Sequence, residues 1–291
     1  MKYQCVFLFS ITLFGVFLQE AIAQNFLPAE AQPAIIYEEG VKLLRDERYT
    51  EAARKFETVV KFDPTNAEAH NALGAVYVHL NRRDEAYSSF REAIRLAPDF
   101  ANAYYNLGNL YGRDGKSNLA ALSFRQAVER KPDYVLAWLA LGDSLLNLKD
   151  YDSAVSAFEK ASQIDSRNAR VFVNLGYSFN LAGKKQKALD SYRRAVILNP
   201  GDAEARNNLA VTLYESKRFE EALAEYRTLI SKFPDYAATY FNLGILYLAM
   251  KNKPAAVEQL ATLKRLGSTL ETELFYLIYS DKILRVKTNQ E

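Results

Sequence analysis

Glycine recurs at Gly40, Gly74, Gly108, Gly142, Gly176 and Gly244, all on one 34-residue ladder whose single vacant rung is Ala210. Two more ladders keep the same register. One runs Ala52, Ala86, Ala120, Ala154, Ala188, Ala222, Ala256, and the other Phe56, Phe90, Phe124, Phe158, Tyr192, Tyr226, Leu260. Three ladders in one register do not arise from composition. They require a small structural unit that is repeated and stacked.

The spacing inside one unit gives its form. Tyr104, Leu107, Gly108 and Tyr111 fall at i, i+3, i+4 and i+7 and share one helical face. After a turn over Gly112 to Lys116, Ala120, Phe124 and Ala127 form the buried stripe of a second helix. We name these helices A and B. Gly108 and Ala120 leave room for two backbones to approach, and Phe124 fills the volume beside them. Pro132 stops helix B, as Pro64, Pro98, Pro200 and Pro234 do elsewhere, and Asp133 is the expected N-cap of the next helix A.

A 34-residue helix-turn-helix unit carrying Trp138, Leu141-Gly142, Ala154, Phe158 and Ala161 resembles the tetratricopeptide repeat (TPR). The likeness runs from Pro33 to about Leu270 and divides into seven units, 33–66, 67–100, 101–134, 135–168, 169–202, 203–236 and 237–270. The resemblance implies an all-α, right-handed superhelix, an α-solenoid. Residues 271–291 are then expected to form a capping helix, with Leu270, Leu274, Leu277 and Ile278 as its apolar stripe; a separate partner-binding helix is the alternative. Departures from the pattern are Glu39 in the first unit, Ser166 at a Pro position, Arg206 and Ala210 in the sixth unit, and Leu260, Leu263 and Gly267-Ser268 in the last. Looser packing is expected within the array at these places.

In the family, the A helices line a concave groove that receives extended peptides or partner helices. Residue by residue, this points to Asn106, Asn174, Asn208 and Asn242, each directly before the Leu of the Leu-Gly pair or its equivalent. Asn71, Asn102, Tyr105, Asn109, Arg113, Asp143, Tyr177 and Asn207 are expected to project into the same groove. An amide both donates and accepts, so an Asn ladder could hold a peptide backbone with little regard for its sequence, similar to the ladder of the O-linked N-acetylglucosamine transferase. Local packing and capping is the alternative role for these residues. Chaperone-binding relatives place Lys at the fifth helix A position. Here Tyr37, Asn71, Tyr105, Leu139, Val173, Asn207 and Phe241 stand there, so that clamp is absent.

Other chemistry finds little footing. Leu110–Ser117 is similar to a phosphate-binding loop but lacks its first Gly and lies between two helices, where such a loop follows a strand. His70 and His79 are the only histidines; His70 takes the aromatic slot of its unit and is expected in the core, and no metal or cofactor is expected. Glu38-Glu39 and Glu220-Glu221 fit solvated helix positions better than acid pairs. A formal charge of +2, from 37 Lys and Arg against 35 Asp and Glu, lacks the basic footprint of a nucleic-acid binder.

The N-terminus reads as an export signal over 1–23, with Lys2, an apolar run from Val6 to Leu18, and Ala21-Ile22-Ala23 before the cleavage point, followed by a short segment 24–32. A retained anchor is the alternative, but the run is shorter than a bilayer span. Cys5, the sole cysteine, falls within the signal, so the mature chain would hold no disulfide. The sequence thus implies a non-catalytic scaffold or assembly factor in a bacterial periplasm or secreted, binding a protein or extended peptide, with no membrane span after cleavage and with self-association left open. A carbohydrate or cell-wall binding module and the regulatory part of an enzyme complex are the alternatives.

Overall fold

A computed structural model describes residues 32–288, with side chains through residue 280. The expected signal, 1–23, and residues 24–31 lie outside the described residues. Those described form an all-α chain of fifteen helices. The A helices are α1 (Gln32–Arg45), α3 (Ala67–His79), α5 (Ala101–Arg113), α7 (Val135–Asn147), α9 (Ala169–Leu181), α11 (Ala203–Glu215) and α13 (Ala237–Ala249). Each is followed by a B helix: α2 (Tyr49–Phe62), α4 (Arg83–Leu96), α6 (Ser117–Arg130), α8 (Tyr151–Ile164), α10 (Lys185–Leu198), α12 (Phe219–Lys232) and α14 (Lys253–Arg265). Helix α15 (Leu270–Thr288) comes last. The chain divides into two compact units, one ending at Ala137 and the other beginning at Trp138.

The turn from A to B is identical in every pair. Glu47, Asn81, Gly115, Lys149, Gly183, Lys217 and Lys251 all have φ between 58° and 73°, the left-handed region. The following amide bonds back five residues, as Lys116 N–H does to the Tyr111 carbonyl at 2.9 Å, and the left-handed residue's own amide closes an inner bond, Gly115 to Gly112 at 3.0 Å. This pair of bonds satisfies carbonyls that the helix end would otherwise orphan. Helix B ends differently. Its closing residue is extended, as at Ala97 (φ −130°, ψ 87°), which is the backbone a following proline demands. Asp165 keeps that geometry (φ −124°, ψ 86°) although Ser166 replaces the proline.

The ladders form the core. The seven alanines from Ala52 to Ala256 are wholly buried, and Phe56, Phe90, Phe124, Phe158, Tyr192 and Tyr226 are at most 3% exposed. A Cβ built on Gly108 would lie 2.7 Å from the Phe124 ring, and one on Gly142 2.5 Å from Phe158, so glycine here sets how closely A and B approach. Burying each aromatic stabilises the fold by about 1.5–3 kcal/mol.

Four expectations change. The capping position before helix A falls one residue later than Asp133: α7 starts at Val135, and in sister repeats Asn66 and Asp202 accept from Ala69 N–H (2.8 Å) and Ala205 N–H (2.9 Å). Packing in the sixth pair is not loose. Arg206, in the aromatic slot, bonds Glu225 at 2.5 Å with 11% of its side chain exposed, and Leu209, Ala210, Leu213 and Tyr226 are all at most 2% exposed. His70 is half-buried rather than in the core, with Nε2 3.1 Å from the Pro64 carbonyl. In α15, Leu277 is 47% exposed; Leu274 and Ile278 instead pack with Tyr240, Ala256 and Leu263, and Leu274 fills the space beside Gly244 that an aromatic fills beside the other ladder glycines. The bend leading into α15 is Gly267, at φ +64°, the same turn that otherwise joins A to B.

Candidate functional site

The asparagines inferred from sequence fall into two groups: those that bond to a neighbouring A helix and those that make no such bond. In the first compact unit, Asn106 on α5 donates from Nδ2 to Oδ1 of Asn71 on α3 at 2.9 Å. In the second unit Asn242 donates to Asn207 at 3.0 Å and Asn174 to Asp143 at 3.1 Å, each joining successive A helices. Such bonds fix the stacking of one pair on the next, and each uses one of the amide's two N–H groups. Asn208 is half-buried without such a bond, because the residue 35 positions earlier is Val173, which has no acceptor in its side chain.

Tyr105 is half-buried, its ring centroid 5.7 Å from that of Phe124 and 5.0 Å from that of Tyr134. It acts as a wedge between elements and has little freedom to meet a ligand. Burial also pushes the Tyr134 phenol up to about 12. Asn102, Arg113 and Tyr177 are exposed. Asp143 is half-buried, with Arg170 at 3.9 Å; burial raises its carboxyl above the ordinary carboxylate value, and Arg170 only partly opposes this.

Three of the residues inferred from sequence converge. Asn106, Asn109 and Arg113 of α5 line a cavity of about 130 Å³ with Ala75, Val78 and His79 of α3 and Phe90 of α4. His79 is held there by its ring, stacked on Tyr49 with centroids 4.4 Å apart and planes 7° apart. His79 stands 34 residues before Arg113, on the same rung near the groove end of helix A, though it was not among the inferred groove residues. A second, wider hollow of about 780 Å³ lies beside α1 and is lined by Pro33, Tyr37, Glu38, Phe62, Asp63 and Glu68, none of them in the inferred set. There the Tyr37 phenol is raised, first by burial and then by Glu68 and Glu38. Asp63 is already occupied, accepting from the Thr65 hydroxyl at 2.7 Å.

The loop-like stretch Leu110–Ser117 is the end of α5, the left-handed Gly115 and the start of α6. Glu39 pairs with half-buried Lys55 at 2.5 Å, and Glu221 with Arg218 at 2.6 Å on exposed surface. Among the described residues no three of His, Cys, Asp and Glu are placed to hold a metal ion, and no helix is long and apolar enough to cross a membrane.

Comparison with known proteins agrees with this architecture. The family model described as the cytochrome c-type biogenesis protein H TPR domain matches residues 113–240, and a TPR repeat model matches 43–81 and 76–115. No match was found among curated protein sequences. Of the solved structures, the C-terminal part of a TPR repeat-containing protein from Cytophaga hutchinsonii aligns with a TM-score of 0.69 at 16% identity, over 82% of this chain and 98% of that one. YrrB, described as a TPR protein with an unusual peptide-binding site, aligns with a TM-score of 0.59 at 21% identity, over 64% of this chain and 96% of its own. PilF of Pseudomonas aeruginosa aligns with a TM-score of 0.57 at 22% identity, over 72% and 96%. At such identities the likeness establishes fold alone. Repeat ladders, paired helices with a common turn, and two matching repeat models lead to one conclusion: the chain is a tetratricopeptide-repeat protein.

Proposed function

We propose that this protein is a non-catalytic interaction scaffold whose A-helix faces bind an extended peptide or a segment of a partner protein, and that it works outside the cytosol after removal of 1–23. The observation that carries the reading is the convergence of Asn106, Asn109 and Arg113 in one opening between α3 and α5. Polar groups beside partly apolar walls are what an extended ligand needs: the walls supply area, and the amides supply backbone partners. YrrB, a fold neighbour described by its peptide-binding site, lends support.

The structure also determines which residues to vary. Changing Asn106, Asn174 or Asn242 would remove bonds between helices and confound binding with packing. Asn102, Asn109 and Tyr177 make no such bond and are the better probes. Cross-linked capture of partners from an envelope fraction, using the full chain and the triple variant N102A/N109A/Y177A, should give defined proteins with the first and lose them with the second. Equal capture by both would remove the A-helix faces from consideration as the recognition surface. Export is tested by the N-terminus of the chain recovered from that fraction, expected at Gln24 and refuted by an intact Met1.

A further inference from the structure

We propose that the cavity between α3 and α5 is a carboxylate site, taking an acidic side chain or the free C-terminal carboxylate of the bound peptide. The inference rests on the peptide-binding reading above and specifies its chemistry.

The lining of this cavity is rich in donors and holds no carboxylate. Arg113 brings a guanidinium, His79 an imidazole, and Asn109 and Asn106 their amides, while Ala75, Val78 and Phe90 form the apolar wall. Asn106 uses one N–H on Asn71 at 2.9 Å and keeps the second. The charge on Arg113 is unspent. Its chain neighbour Asp114 is the obvious partner but is turned away, accepting from Arg83 at 3.0 Å and from the Tyr87 hydroxyl at 2.8 Å. Among the described residues Arg113 makes no ion pair. Its place at the end of α5 lets the helix dipole stabilise the charge without occupying the planar fork of donors, which matches a carboxylate.

Size and charge pattern agree. About 130 Å³ corresponds to roughly four water volumes at ~30 Å³ each, room for a carboxylate and a short methylene stem. Arg45, on the same rung as His79 and Arg113, is exposed and also without an ion pair among the described residues, so the ends of α1, α3 and α5 form a donor row. Glu38, in the middle of α1, and Glu68, at the start of α3, line the other hollow, where a carboxylate would be repelled. This position differs from the fifth-position lysines of chaperone-binding relatives, which are absent here.

The test is selection of random peptides of about twelve residues on the full chain and on Arg113→Gln, with one library displayed with free C-termini and another tethered through them. Arg113 is exposed, so the variant should fold, which circular dichroism verifies. Wild type should enrich an Asp, a Glu or a free C-terminus at a fixed place in the selected peptides, and R113Q should not. For a resynthesised peptide, converting that carboxylate to the amide should weaken binding by about 10-fold on wild type and little on R113Q, with Arg113→Lys between them. Enrichment in both libraries identifies a side-chain carboxylate; enrichment with free ends alone identifies the C-terminus. Peptides selected equally by both proteins, without acidic preference, would overturn the carboxylate site and leave peptide binding standing. No selected peptide at all would overturn both.

Discussion

Replacing Gly108 with Ala puts the central packing argument at risk, because α5 contains its own control. A Cβ at Gly108 would sit 2.7, 2.8 and 3.0 Å from three carbons of Phe124, where carbon atoms ordinarily approach to ~3.5 Å. Phe124 is 3% exposed, with the tilted Tyr105 ring 5.7 Å from it, so the ring cannot swing into solvent. Overpacking of this kind costs about 1–3 kcal/mol, set against a gain of up to ~1 kcal/mol from better helix propensity. G108A should therefore be destabilised by about 0–2 kcal/mol. Gly112 lies one turn further along the same helix with nothing within 4 Å of its Cβ position, so G112A should be stabilised by up to ~1 kcal/mol. Because stacked repeats can unfold in stages, the assay is native-state amide exchange read at α5 and α6, supported by urea unfolding. Exchange should quicken in G108A and slow in G112A, and Phe124→Leu should relieve most of the G108A defect. If G108A protects α5 as well as G112A does, the two helices accommodate a methyl group and the glycine ladder does not set their approach.

Two further outcomes are expected. Glu225→Ala leaves the Arg206 guanidinium, 11% exposed, without its partner and should cost about 2–3 kcal/mol, whereas Glu220→Ala on the exposed face should change urea midpoints little; equal effects would refute a stabilising role for the Arg206 pair. For Asp143, burial raises the carboxyl above 3.8, so the folded state binds the proton more tightly than the unfolded chain, and stability falls as pH rises from that value through the raised one. Asp143→Asn keeps an oxygen for Asn174 and has no charge to desolvate, so its melting temperature should exceed that of the parent at pH 7 and the difference should close by about pH 3; an Asn variant less stable at pH 7 would show that Arg170 outweighs burial.

Features held by packing were legible in the sequence. Gly108, Ala120 and Phe124 recur, with few substitutions along their ladders, because their space admits a narrow choice of side chains, so one period reveals the helices and their contact. The A-to-B turn is as regular in the backbone but nearly silent in sequence, since only Gly115 and Gly183, with Asn81, carry the residues that favour a left-handed φ; Glu47, Lys149, Lys217 and Lys251 adopt it because the closing hydrogen bonds outweigh the strain. The Asn positions were legible but their roles were not. Spacing places Asn106 on the A-helix face, yet only coordinates tell that its amide meets Asn71. His79 shares α3 with His70, nine residues away on a different face, and only the placement of Tyr49 and Arg113 shows what its ring meets.

Gly267 has a consequence for growth. A chain of identical units resembles a one-dimensional crystal, able to add another unit, or another molecule, wherever its last face matches the face it would receive. After α14 the extended break that launches the next helix A is exchanged for a left-handed bend, and α15 returns with Leu274 set beside Gly244 and Ile278 in the same apolar cluster. Head-to-tail addition at this end would first have to dislodge two buried side chains, so the lattice is terminated here by its own sequence.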